Sequence, residues 1–304
     1  MSGAVTSIRF VIGSRQVYAA RRRLVTVSLS LEQLLSGSVP PVPPLPKDCD
    51  GYRFLSVPAD AHKALVQSAP GFLPGGQQDY ARRYIAMDGT FADYLGSFSG
   101  KTRSTLKRKQ RKLADLSGGT LDIEAFARPD DMDRFFAGAV PLSRQTYQAR
   151  LLGAGLPEDP AFISAAKALA REDRLRAYLL RVDGAVAAYL YLPIDGDTLV
   201  YAYLGYAPHM AAASVGTVLQ LAALEQLFAE GRFRYFDFTE GDGAHKELFS
   251  TGAAHACSFY LLRPTAANRA LLASLAGFDA TISGAKALTA RLGLGAALRR
   301  MLRR

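Results

Sequence analysis

Asp237, Glu240, Asp242, His245 and Lys246 fall within one ten-residue segment, 237–246, beside Gly241 and Gly243. Acids, an imidazole and an ammonium gathered on a flexible turn after a strand are the usual setting of acid/base chemistry. Glu240, Asp242 and His245 are the candidate bases. Asp237 is the candidate structural acid, pairing with Lys246 across the turn, while Lys246 is also a candidate substrate contact. For each of these side chains a purely structural role is the competing reading. Tyr201, Tyr203 and Tyr206 punctuate a second segment. Strand alternation places Tyr201 and Tyr203 on one face, where a phenol can serve as general acid, and Tyr203 is the candidate. Aromatic packing is the alternative. A third segment, Ser214-Val-Gly-Thr217, opens a helix. Gly216 admits close backbone approach, and the helix-opening amides and dipole favour an anion. An ordinary N-cap by Ser214 competes with that reading.

Three strands lead into the tyrosines: 175–182, 185–193 and 198–205. Asp183-Gly184 is a type I′ hairpin signal, because both central residues need positive φ. Before them stand a strand, 121–126, and two helices, 130–152 and 160–172. The first helix carries Arg144 and Tyr147, candidate acceptor contacts on a polar face that also suits plain solvation. After the tyrosines come a helix, 215–230, a strand, 233–238, a short helix, 244–250, and a strand, 254–263. Upstream, residues 101–113 form a basic helix behind Ser97 and Ser99, with Leu106 and Leu113 on one face and Arg103 and Lys107 among its cations. The N-terminal part reads as strands at 8–12, 24–29, 52–57 and 84–87. The proline run at 38–47 reads as a stiff extended connector.

Nearly half of the 304 residues are apolar, enough for a real core. Two cysteines, Cys49 and Cys257, and four histidines show no metal-ligand spacing, so no metal is expected and a reducing cytoplasm fits. The opening residues are too polar for a secretory signal, and no run approaches the ~18 apolar residues of a bilayer span. The net charge of +10 favours anionic partners. At 286–304, Leu288, Leu292, Leu298 and Leu302 share a face among arginines, a pattern suited to an anionic membrane interface on the inner face.

The element order, with the words Ser97-Phe-Ser-Gly-Lys-Thr-Arg-Ser-Thr-Leu106, Arg181-Val-Asp-Gly-Ala185, Tyr203-Leu-Gly-Tyr206, Ser214-Val-Gly-Thr217 and Phe236-Asp-Phe-Thr-Glu-Gly-Asp242, resembles the GNAT-like acyltransferase family associated with cellulose biosynthesis (BioF2-like), related to Fem-type aminoacyl transferases. The resemblance spans about residues 90–262. Val215 stands where the family usually has proline, and the usual glycine-rich phosphate loop is not matched. The resemblance implies an α+β, three-layer GNAT fold with a mixed, mostly antiparallel central sheet. The expected domains are a degenerate GNAT-like half at 1–95, the acyltransferase domain at 96–263 and a basic helical segment at 264–304. It further implies acyl-CoA as donor, with phosphates at Ser214, Val215, Gly216, Thr217, Arg103 and Lys107. The acceptor is an amine, with a lipid such as a sphingoid amine as one candidate. Two rivals stand beside this reading: aminoacyl transfer from charged tRNA, and a non-catalytic subunit of an envelope-polymer machine.

Overall fold

The structure is a computed structural model that describes residues 3–12, 15–39, 41–146, 155–241 and 243–291. By contact density the chain forms two compact units, Met1–Ala81 with Ala254–Arg304, and Arg82–Ala253. The chain passes from one to the other within strands rather than loops.

The first unit opens with a long hairpin, β1 (Ala4–Ile12) and β2 (Arg15–Ser28). Helix α1 (Leu31–Leu35) follows, capped reciprocally by Ser30 and Gln33. Then come β3 (Gly51–Pro58), parallel to β2, and helix α2 (His62–Ser68). The proline run is not a free connector. Val39, Val42 and Leu45 pack on the core around Phe54 and Phe259, and the Tyr52 hydroxyl donates to the Pro43 carbonyl.

Strand β4 (Leu73–Ala86) carries the chain into the second unit, where helices α3 (Phe91–Gly96) and α4 (Gly100–Asp115) come first. Ser99 caps α4 through the Thr102 amide, as its position before the basic run predicts. Leu106 and Leu113 are the buried face of α4, and its cations cover the rest. Strand β5 (Asp122–Phe126) leads to α5 (Met132–Gln145) and α6 (Pro160–Arg171). The helix expected to run from 130 begins as a 3-10 turn, Pro129–Asp131, and its last expected turns lie outside the described residues. Strands β6 (Leu175–Val182) and β7 (Ala185–Asp195) form the hairpin announced by Asp183-Gly184, whose φ angles of 50° and 75° are both positive.

The strand expected over 198–205 is broken. It forms β8 (Thr198–Val200) and β9 (Tyr203–Tyr206), and both pair with β7. Between the pairs Ile194↔Leu199 and Tyr191↔Tyr203, two residues of β7 face three of the other strand, Val200, Tyr201 and Ala202. That is a β-bulge, and it inverts which face each later side chain takes. Helix α7 (Val215–Glu230), β10 (Tyr235–Asp237), helix α8 (Ala244–Phe249) and β11 (Gly252–Leu262) complete the run, and α9 (Ala266–Arg291) ends the described chain.

The strand order in the second unit is β4-β10-β8-β7-β6-β5, with β9 beside β7. All neighbours are antiparallel except β10 and β8. One face is covered by α3, α4, α7 and α8 over a core that includes Leu224, Phe236 and Phe249. The other is covered by α5 and α6 over Phe135, Ala166 and Leu179. Three layers result, as expected.

Candidate active site

Strand β10 pairs with β8 through Asp237↔Val200, and the Tyr201 amide still donates to the Asp237 carbonyl at 2.9 Å. One residue later the ladder stops. Strand β9 continues along β7 alone, so its other edge has no strand partner among the described residues. The bulge therefore parts two strands that begin as neighbours, and the split opens between β9 and the segment after Asp237. Left-handed residues that are not glycine stand on both sides of it: Ser214, with φ of 58°, and Thr239, with φ of 61°. Such conformations persist only where surrounding structure enforces them, and they gather at functional sites.

One wall of the split is built by α7. Gly216 packs against β9, where an added Cβ would sit 3.1 Å from the Leu204 side chain and 3.2 Å from the Tyr206 ring. Ser214 does not cap the helix: its backbone is left-handed and no side-chain cap is formed. The amides of Val215, Gly216 and Thr217 are thus free of a side-chain cap at the positive end of a 16-residue helix. On the α5 face of the sheet a cleft of about 570 Å³ is lined by Arg134, Gln145, Arg181 and His209, together with Pro141 and Val186. Pro141 has no N–H, so it cannot bond the Ala137 carbonyl one turn back.

The other wall carries the ionisable segment. Asp237 is structural, but its partner is not Lys246. It is 1 % exposed and bonded to Arg82 of β4, Oδ2 to Nη2 at 2.6 Å, and its Oδ1 accepts from the Thr239 amide at 2.8 Å. Because β4 and β10 are neighbouring strands, a buried cation across the sheet reaches Asp237 before any residue on the turn does. Lys246 instead donates to the Glu240 carbonyl at 2.5 Å, closing the loop on its own backbone. Glu240 is exposed, and Asp242 lies outside the described residues.

His245 is the member of the segment that the fold draws inward. Its Nε2 lies 2.6 Å from Oε1 of Gln220, a fully buried residue of α7, and its ring packs 4.8 Å from Phe249. Burial foremost, and then the charges of Lys109 and Lys246, hold its pKa below the usual 6.5. The imidazole is neutral at pH 7 and ready to accept a proton. Gln220 has no signal in sequence: it is one amide in an apolar helix, and only the fold shows what it meets.

The bulge corrects the tyrosine assignment. Tyr201 and Tyr203 are on opposite faces, because the inserted residue between them breaks the alternation. Tyr201 packs between Phe236 and Phe238 on the α7 face, with ring centroids at 5.7 and 5.5 Å. Tyr203 packs on Phe162 and Tyr191 under α6. Burial raises the pKa of both phenols, so each stays protonated at neutral pH. Tyr201, not Tyr203, shares a face with Gln220 and His245.

The remaining expected contacts disperse. The Arg103 guanidinium turns back to the carbonyls of Gly96 and Phe98. Lys107 is exposed on α4. Arg144 pairs with Glu158 at the surface, and Tyr147 lies outside the described residues. So do residues 292–304 of the basic tail. No described helix is long and apolar enough to cross a membrane, and the described residues hold no metal-binding cluster.

Residues 100–247 match the family model of the acetyltransferase (GNAT) domain. The matched segment is similar to a GNAT domain. Its bulge, split strands and α7 all lie inside the matched segment. Among solved structures, FemX shares the fold over most of the chain, with 12 % identity, coverage of 86 % of this chain and 89 % of FemX, and a TM-score of 0.54. L-PGS from Bacillus licheniformis aligns at 11 % identity over 73 % of this chain and 71 % of its own, with a TM-score of 0.47. A GCN5-related N-acetyltransferase from Kribbella flavida aligns at 14 % identity over 71 % and 69 %, with a TM-score of 0.36. No curated protein sequence matches.

Proposed function

We propose that the GNAT domain is an N-acyltransferase that moves an acyl group from a coenzyme A thioester to an amine within one ternary complex. The observation that carries this reading is the bulge at Val200–Ala202, which leaves one edge of β9 without a strand partner among the described residues, together with a partly buried, neutral histidine held by α7. The free edge of β9 suits the amide-bearing arm of the thioester. The uncapped start of α7, at Ser214, Val215, Gly216 and Thr217, suits its diphosphate. Arg103 is committed to backbone carbonyls, which favours the helix-opening amides over that side chain for this task.

The reaction needs one C–N bond made, one C–S bond broken, and one proton carried from nitrogen to sulfur. His245 accepts the proton of the attacking amine, and the Tyr201 hydroxyl supplies one to the departing thiolate. Glu240 and Asp242, on the same loop, are left as relays to solvent. Direct transfer fits the two thiols: Cys49 and Cys257 are both buried in the other unit, and burial pushes the Cys257 thiol up to about 11, far from a nucleophilic thiolate.

A second donor has one specific observation in its favour. Lys101, Lys107, Arg108, Arg111 and Lys112 form an exposed face of α4 opposite Leu106 and Leu113, and none is ion-paired with a carboxylate among the described residues. A row of uncompensated cations suits the phosphates of a charged tRNA, the donor of the Fem-type transferases the sequence resembles. The acceptor class is proposed as a lipid amine of the sphingoid type, met at the inner face of an anionic membrane.

Thermal unfolding with a panel of acyl-CoAs and charged tRNAs decides between donors. A true donor at 100 times its Kd stabilises the fold by about 2.7 kcal/mol. Stabilisation by long-chain acyl-CoA upholds the lipid reading, and by acetyl-CoA a small or polymeric amine. Stabilisation by tRNA alone, lost steeply with salt, replaces the donor; none from any compound leaves a non-catalytic GNAT subunit.

A further inference from the structure

Gln220 is out of place in α7 by every ordinary criterion of packing. It is fully buried, and the neighbouring buried positions are Val218, Leu219, Leu221 and Leu224. A leucine would fill the site without burying an amide. Its Oε1 is used by His245, but its Nε2 finds no partner among the described residues. Buried amides are nearly always satisfied, so a half-satisfied one marks a place where the protein needs the group. The position matters too. Gln220 is four residues from Gly216, which places both on the α7 face packed on β9. His245 belongs to the segment that leaves β10. Their hydrogen bond therefore joins the two walls of the split.

We infer that Gln220 is the positioning residue of His245: its amide oxygen accepts the Nε2 proton, fixes the ring in that tautomer and orientation, and leaves Nδ1 as the basic atom. This rests on the transferase reading and deepens it. The charged groups that face the ring are Lys109 from α4 and Lys246 from α8, and among the described residues no carboxylate acts on it. A neutral imidazole carries its proton on one nitrogen or the other, and the hydrogen-bond partner decides which. An acceptor from α7 supplies that decision without charge. A carboxylate in its place would fix the same tautomer but hold the ring protonated, and so disable it as a base near neutral pH.

The test is imidazole NMR on the full chain, with His245→Ala to assign the signal, combined with kinetics of Gln220→Leu and Gln220→Glu. The wild-type ring should show the Nε2–H tautomer. Gln220→Leu should mix the two tautomers and lower kcat by about tenfold or more with KM little changed. Gln220→Glu should raise the ring's pKa by a unit or more and carry the acid limb of the kcat profile upward with it. Thermal unfolding of both variants confirms that the fold is intact. An unchanged tautomer and kcat in Gln220→Leu, or an unmoved acid limb in folded Gln220→Glu, overturns the inference. A wild-type protein with the expected tautomer that transfers no acyl group overturns the transferase reading while upholding the pairing.

Discussion

His245 and Asp237 are seven residues apart and illustrate opposite uses of burial. Asp237 is buried against Arg82, and the pair is an internal strut between β4 and β10. Removing one partner strands a buried charge, so Asp237→Asn or Arg82→Met should each cost about 3–5 kcal/mol in denaturant unfolding. The double variant should cost less than the sum, since no lone charge remains. Equal and additive losses would show that the two side chains do not depend on each other. His245 is partly buried with no countercharge among the described residues, and its folded pKa lies below the unfolded value of 6.5. On acidification the unfolded chain therefore takes up this proton first. The contribution of His245 is present in full above the unfolded pKa and is lost as pH falls from there toward the folded value. The melting temperature of the wild type should fall more steeply below pH 6.5 than that of His245→Gln, and parallel curves would contradict the burial described.

At the scale of elements, the decisive feature is one extra residue. Deleting Ala202 would put Tyr201 and Tyr203 in uninterrupted register along β7 and let β9 extend the ladder to the chain after Asp237. The variant should fold, keep its sheet, and lose donor-induced stabilisation; retained donor binding would show that the bulge does not create the site. This is also where reading the sequence reaches its limit. The helices and the β6–β7 hairpin were legible because capping serines, leucine spacing and Asp183-Gly184 are local signals. The bulge was not, because Val200-Tyr-Ala202 continues an apolar strand pattern and the third residue is revealed only by what β7 sets opposite it. The same gap explains the exchange of Tyr203 for Tyr201. The partner of Asp237 was missed for a related reason: Arg82 is 155 residues away, and only the sheet brings it near. The cluster at 237–246 was legible as a cluster, but sequence could not say that the fold would draw His245 onto Gln220 and leave Glu240 in solvent.

At the scale of the molecule, the proposed chemistry needs only the unit Arg82–Ala253, which holds the split and both its walls. The net charge of +10 should speed encounter with an anionic donor and make its affinity fall with salt. The most direct measurement is amide hydrogen exchange with and without a non-reactive acyl-CoA analogue. Protection confined to Tyr203–Tyr206 and to residues 215–217 is the predicted result, since those backbone groups form the free edge and the uncapped helix start. Protection elsewhere, or none at saturating analogue, would contradict the account.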